Sequence, residues 1–528
     1  MSSLRLSRWS AAGVMLTAAT VPGLLSAQDT AASTAAAVPV RDVSAVIARS
    51  AQPFTSVTML RGLPDGSVFV NDVQRRQLLK LDASLSNVTV VADTAPGALM
   101  PYGQRPLGLM PYLGDSTIVV DPSTTSLVVL NPDGRTARVM ASPRTNDINL
   151  LANMNLGTHA FDAQGRMYYR QFGGGPGGGM GAMFGNGMDR GRGGGGGGQG
   201  GNNNRPNQNN RGGGDFGGPP GGGPPGGGQG GQPFGGPGGR GFNPNNQPDS
   251  VPIVRVDFDT RKADTVTFLK VPKNETQMTR GDDGTTRVSV KINPLPQADD
   301  WALLADGTVA VMRVLDYHVD YYRPDGKHVA SEKLPFDWKR ITDDEKIKLV
   351  DSLKVLAEAA MGRQGANPNS TFRMSFEPIA AERLPDYYPP IRQGSSIADR
   401  EGNLWVVPTT SNLSAQLAQQ FMGAGGMGGM RGGMPGQAGG RPGAAGGAPG
   451  AARDSTRQGP PPAAAMAMMA GMMNQPPLVY DVVSPEGKLQ YRVKLPPGRQ
   501  IAGFGANGLI YLQAREQGRI FLETVKLN

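Results

Sequence analysis

A turn carrying Gly or Asp, followed by a short alternating apolar run, recurs through this chain about every 50 residues, and that recurrence restricts the fold more than any other feature. The copies are Pro64-Asp65-Gly66 before Ser67 to Val70, Gly114-Asp115 before Thr117 to Val120, and Gln164-Gly165 before Arg166 to Tyr169. They continue as Asp306-Gly307 before Thr308 to Met312, Glu401-Gly402 before Asn403 to Val407, and Asn507-Gly508 before Leu509 to Leu512. In most copies a second strand follows and runs into another tight turn, as in Leu78 to Asp82, Leu127 to Gly134 and His318 to Gly326. Period-two strands bounded by Asp-Gly turns are hairpin chemistry, because Gly and Asp tolerate positive φ and an alternating strand has one face to bury. Gly66 to Asp115 spans 49 residues and Asp115 to Gly165 spans 50. A unit of that length with four strands fits a propeller blade, so six units predict an all-β, six-bladed β-propeller.

Two low-complexity inserts interrupt the repeat. Of 77 glycines, 36 fall in 171-250 and 16 in 421-480, which leaves an ordinary globular density elsewhere. The glycines keep no three-residue period, which excludes collagen, and the intervening segments are too rich in Val, Ile, Leu and aromatics for a wholly disordered chain. The expected organisation is a signal peptide over 1-27, a linker over 28-37, and a propeller over 38-528. That propeller is broken by inserts at 173-248 and 416-476 and by a helical insert at about 340-362. Thr342-Asp343-Asp344-Glu345 followed by Ile347, Val350, Leu353 and Leu356 supplies the cap and the apolar stripe for that helix.

The net charge of +9 suggests a polyanion partner until it is divided by segment. The leader and the two inserts carry most of it, leaving about +1 for the folded body. Arg5 and Arg8 precede the apolar run Ala11 to Leu25, then Ser26-Ala27 and the polar Gln28-Asp29-Thr30, which reads as a secretory leader cleaved after Ala27. The run contains Gly13, Thr17, Thr20 and Pro22 and is too short for a membrane span. The expected location is therefore periplasmic or extracellular, with no membrane span and no nucleic-acid partner despite the Gly-Arg-Gly patches in the inserts. No cysteine is present, which excludes disulfides, thiol nucleophiles and thiolate metal sites. Twelve of the 24 methionines lie in or beside the inserts, where thioethers are a ligand type for Cu(I) but unspecific apolar contact is the preferred reading.

The runs Leu63-Pro64-Asp65-Gly66-Ser67-Val68-Phe69-Val70-Asn71-Asp72 with Leu79-Lys80-Leu81-Asp82, and Asp399-Arg400-Glu401-Gly402-Asn403-Leu404-Trp405-Val406-Val407, resemble the six-bladed propellers of the NHL-repeat, TolB-like and gluconolactonase-like superfamily. The resemblance spans most of 38-528 outside the inserts and concerns blade geometry, a scaffold that hosts many functions. It implies that Val38 to Ile47 supplies the outer strand that the last blade lacks, closing the ring.

With strands labelled a to d from the axis outward, the a–b and c–d turns are short, and every long segment falls in a b–c or d–a connection. Those connections emerge on one face, where loops converging on the channel make the natural site. Candidate ligand-binding residues there are Arg105, His159, Arg170, Asp300, Trp301, Arg313, Arg392 and Arg499, a set suited to an anion. Gluconolactonase-like enzymes hold a divalent cation with carboxylate and Asn oxygens, and Asp72, Asn153, Asp299 and Asp300 are the matching types here. The expected first-strand acid of that family is absent from Phe54-Thr55-Ser56-Val57. The sequence therefore reads as an exported, non-catalytic module that binds a protein or a small anionic ligand without a cofactor. The alternative is a divalent-metal-dependent, lactonase-like hydrolase that would take Ca²⁺. No catalytic residue is assigned.

Overall fold

The computed structural model describes residues 38–57, 59–152, 159–171, 248–273, 275–282, 284–363, 372–411, 477–517 and 519–528. The expected leader, most of the linker, both glycine-rich inserts and Asn153 lie outside them. The chain is all-β, with strands gathered into small sheets. Six sheets have a four-strand antiparallel body, and they follow one another along the sequence. Their inner strands a are Met59–Gly62, Gly108–Pro111, Ala160–Phe161, Asp300–Leu303, Ser396–Ala398 and Arg499–Phe504. Their strands b are Val68–Asp72, Thr117–Asp121, Met167–Arg170, Val309–Arg313, Leu404–Val406 and Ile510–Glu516.

Alternation within each strand decides how the sheets pack. In sheet four, Trp301 and Leu303 join a core with Tyr168 and Ile253 of sheet three, while Ala302 and Leu304 join a core with Leu404 and Val406 of sheet five. The same division holds all round: sheets one and two share a core, as do two and three, five and six, and six and one. Each sheet therefore buries both faces against its neighbours, and the cycle closes on itself. This is a β-propeller, and its sheets are called blades below. The turn glycines singled out above, Gly66, Gly114, Gly165, Gly307, Gly402 and Gly508, all have φ between 59° and 87°, the left-handed region that a Cβ disfavours.

Ring closure differs in register from the expectation. The outer strand of blade six is Ala48–Arg49, paired antiparallel with Arg519–Val525, and backbone bonds from Ser44, Ile47, Ser50 and Phe54 extend the contact on both sides. Val40–Asp42 instead pairs parallel with Leu489–Lys494 as a fifth strand of blade five. Blade six narrows here to the Val43–Leu527 bridge and a bond from the Asn528 N–H to the Asp42 carbonyl, while Val40–Asp42 lies along the outer edge of blade five.

Two d–a connections combine into a structure that periodicity does not foretell. Glu275–Arg280 and Thr286–Ile292, which precede blade four, form a hairpin, and Phe372–Pro378, which precedes blade five, adds to it in parallel. The helix Asp343–Arg363 packs against this sheet. A capping box starts it: the Thr342 N–H donates to Glu345 Oε2 at 3.0 Å, and the Glu345 N–H donates to Thr342 Oγ1 at 3.3 Å. The buried face holds Lys346, Val350, Leu353 and Ala357, whereas Ile347 of the expected stripe is 51 % exposed. Lys346 reaches out of that face to Asp386 at 2.8 Å.

Candidate functional site

Strand a starts, and strand b ends, on the rim where the b–c and d–a connections emerge. Most of the candidate residues sit on this rim, but the structure sorts them into three groups.

The first group is spent on holding the scaffold. Arg313 donates to Asp320 at 2.6 Å, to Asp299 at 2.8 Å, to the Phe268 carbonyl at 2.9 Å and to the Tyr322 hydroxyl at 3.0 Å. The two carboxylates hold its pKa above the ordinary arginine value in spite of burial. Asp299 also accepts the backbone N–H groups of Lys270 and Val314, so both its oxygens are occupied. Arg499 shares Glu516 and Glu523 with Arg49, and this four-residue cluster ties the N-terminal strand to blade six. Asp72, fully buried, accepts the N–H and hydroxyl groups of Thr55 and Ser56 and so fixes the chain where it enters blade one. Arg105 lies partly exposed and bonds Asn149 at 3.0 Å.

The second group packs. His159 is 1 % exposed, has Nε2 2.8 Å from the Leu150 carbonyl, and stands 6.5 Å from the rings of both Tyr169 and Trp301. Trp301 belongs to the core between blades three and four. Tyr169 donates to Asp147 at 2.6 Å, and burial with that carboxylate raises its pKa far above the usual phenol range.

The third group is Arg170, Asp300 and Arg392. Asp300 opens strand a of blade four and is 1 % exposed. Its Oδ2 accepts the Ser396 N–H at 2.7 Å, while its Oδ1 is buried with no partner among the described residues. Burial pushes its pKa up to about 6, against the lowering effect of backbone N–H groups from Gly394 and Ser396. Arg170 ends strand b of blade three, is 6 % exposed, and has a buried Nε without a partner among the described residues. Burial lowers its pKa to about 10, and the charge of Asp300 opposes that change. The two sense each other electrostatically yet form no ion pair within 4.0 Å. Arg392 lies in the connection that leads to Ser396, is 6 % exposed, and has its pKa lowered to about 10 by burial.

Of the proposed cation donors among the described residues, Asp300 keeps an open oxygen, and Asp72 and Asp299 face other partners. Among the described residues no three His, Asp or Glu side chains converge at metal distance; Asn153, the fourth proposed donor, lies outside them. The Ser396 N–H and the added three-stranded sheet were not legible in the sequence: a backbone donor leaves no residue signature, and parallel pairing between segments as distant as Thr286 and Phe372 leaves no local period.

No family model matches the chain, and no curated protein matches it. Among solved structures it is similar to a gluconolactonase from Xanthomonas campestris, at 7 % identity over 90 % of this chain and 88 % of that one, with a TM-score of 0.32. It is similar to a streptogramin B lyase at 7 % identity, over 91 % of this chain and 96 % of that one, with a TM-score of 0.31. A calcium-binding regucalcin from Agrobacterium tumefaciens is similar at 10 % identity, over 70 % of this chain and 87 % of that one, with a TM-score of 0.22.

Proposed function

We propose that the protein is an exported propeller acting as a non-catalytic binding or scaffold module, with a small anionic ligand or the anionic group of a protein partner held at the rim bearing the long connections. The pair Arg170 and Asp300 carries this reading. Both are buried, each keeps one polar atom unpartnered among the described residues, and their charges interact across a gap. Burial of such groups is costly unless something completes their bonding, and a ligand offering an anionic oxygen beside a hydroxyl or amine donor completes both. No described helix is long and apolar enough to cross a membrane.

Isothermal titration with D-gluconate, citrate and L-glutamate as probes tests this. Wild-type protein should bind at least one of them, with affinity falling about tenfold or more in Arg170→Gln and in Asp300→Asn and unchanged in Arg105→Gln. Failure of all three probes, or equal affinity in every variant, sinks the reading. The second reading, a divalent-metal-dependent hydrolase of the lactonase kind, draws on the open Oδ1 of Asp300 alone. Ca²⁺, Mn²⁺ or Zn²⁺ raising the melting temperature of wild type but not of Asp300→Asn would favour it.

A further inference from the structure

At the opposite end of strand a, two arginines stand together among a–b turns that carry Asp65, Asp115, Asp306 and Glu401. The inner strand of blade one is apolar except for Arg61, which is 9 % exposed. Its Nη1 donates to the Gly62 carbonyl at 2.8 Å, and its Nε is buried without a partner among the described residues. Arg400, from the a–b turn of blade five, donates through Nη2 to that same carbonyl at 2.5 Å. Blade six stands between blades five and one round the ring, so this bond crosses the channel mouth instead of running within a blade.

Two guanidinium groups therefore share one neutral acceptor. Among the described residues no carboxylate lies within 4.0 Å of either. Burial lowers the Arg61 pKa to about 10, with the like charge of Arg400 acting in the same direction; the exposed Asp115 on the neighbouring turn acts the other way and more weakly. A desolvated cation beside a like charge is stable only where negative charge can join it.

We propose that this end of the channel binds a small oxyanion of the phosphate or sulfate type between the guanidinium groups of Arg61 and Arg400. The planar fork of a guanidinium matches two oxygens of such an ion, and the buried Nε–H of Arg61 is the donor left over for it. The site is separate from that of Arg170 and Asp300, which lies at the other end of strand a, roughly 10 Å along a four-residue strand.

Thermal unfolding of the full chain, with inorganic phosphate or sulfate titrated against chloride at constant ionic strength, tests the proposal. Wild type should show a saturable rise of about 4 °C at a hundredfold excess over Kd. The rise should vanish in Arg61→Met and in Arg400→Gln and persist in Arg170→Gln, which separates this site from the one at the opposite rim. Arg61→Met should also melt above wild type in chloride alone, because an apolar side chain of similar length replaces an uncompensated charge. Absence of a saturable rise in wild type, or its survival in both variants, overturns the proposal. If Arg61→Met fails to fold, Arg400→Gln decides alone, since that side chain is only partly buried.

Discussion

Replacing Asp300 by Asn should stabilise the protein at neutral pH and leave it unchanged in acid. Asp300 is held in the folded state at a pKa of about 6 against an ordinary 3.8. A carboxyl with a raised folded pKa favours folding while it is protonated in both states, so its full contribution is present below pH 4. That contribution is lost as pH rises through 6, and above that the folded state bears the cost of a buried, half-satisfied carboxylate. The gap between the two values corresponds to about 3 kcal/mol, or about 4 °C in a folded body of this size. The neutral amide has nearly the same shape and still accepts the Ser396 N–H. Differential scanning fluorimetry at pH 7.5 and pH 4, at matched ionic strength, should show Asp300→Asn melting higher at the first and equal to wild type at the second. Arg170 would moderate the gain, since its charge already favours the carboxylate. A variant less stable than wild type at pH 7.5, or a difference that does not change with pH, would refute the reasoning. The cost of this residue would then not lie in its buried charge.

Other parts of the fold make equally direct claims. Glu523 is 1 % exposed and accepts from both Arg49 and Arg499, so Glu523→Gln should lose about 2 kcal/mol in urea unfolding, with the N-terminal strand loosened in hydrogen exchange. Removing residues 1–51 strips blade six of its outer strand and should give aggregation or clear loss of stability, read by light scattering and melting; an unchanged melt would mean the ring needs no N-terminal strand. Gly487→Ala should destabilise by more than about 1 kcal/mol, because φ is +80° and the new Cβ would lie 2.4 Å from Cβ of Ser331, whereas Gly326→Ala, at φ +85° with nothing within 4 Å, carries only the backbone strain.

Local chemistry alone determined the repeating part of this protein. An Asp-Gly turn needs only its own residues to reach positive φ, and an alternating strand needs only its own period to declare two faces, so the six hairpins, their order and the rim that carries the long connections were readable in advance. Tertiary structure decided what the polar residues on that rim do. Asp299 and Asp300 are neighbours of identical type, yet alternation sends them to opposite faces, where one pairs with Arg313 and the other accepts backbone N–H groups. Arg313 and Arg170 both end a strand b, yet only Arg313 finds carboxylates within reach. Arg61 is a charge in an apolar run, but its meaning comes from Arg400, more than 300 residues away in sequence and brought beside it by closure of the ring. A side chain's type limits the partners it can take; which of them it meets depends on long-range packing that no sequence window contains.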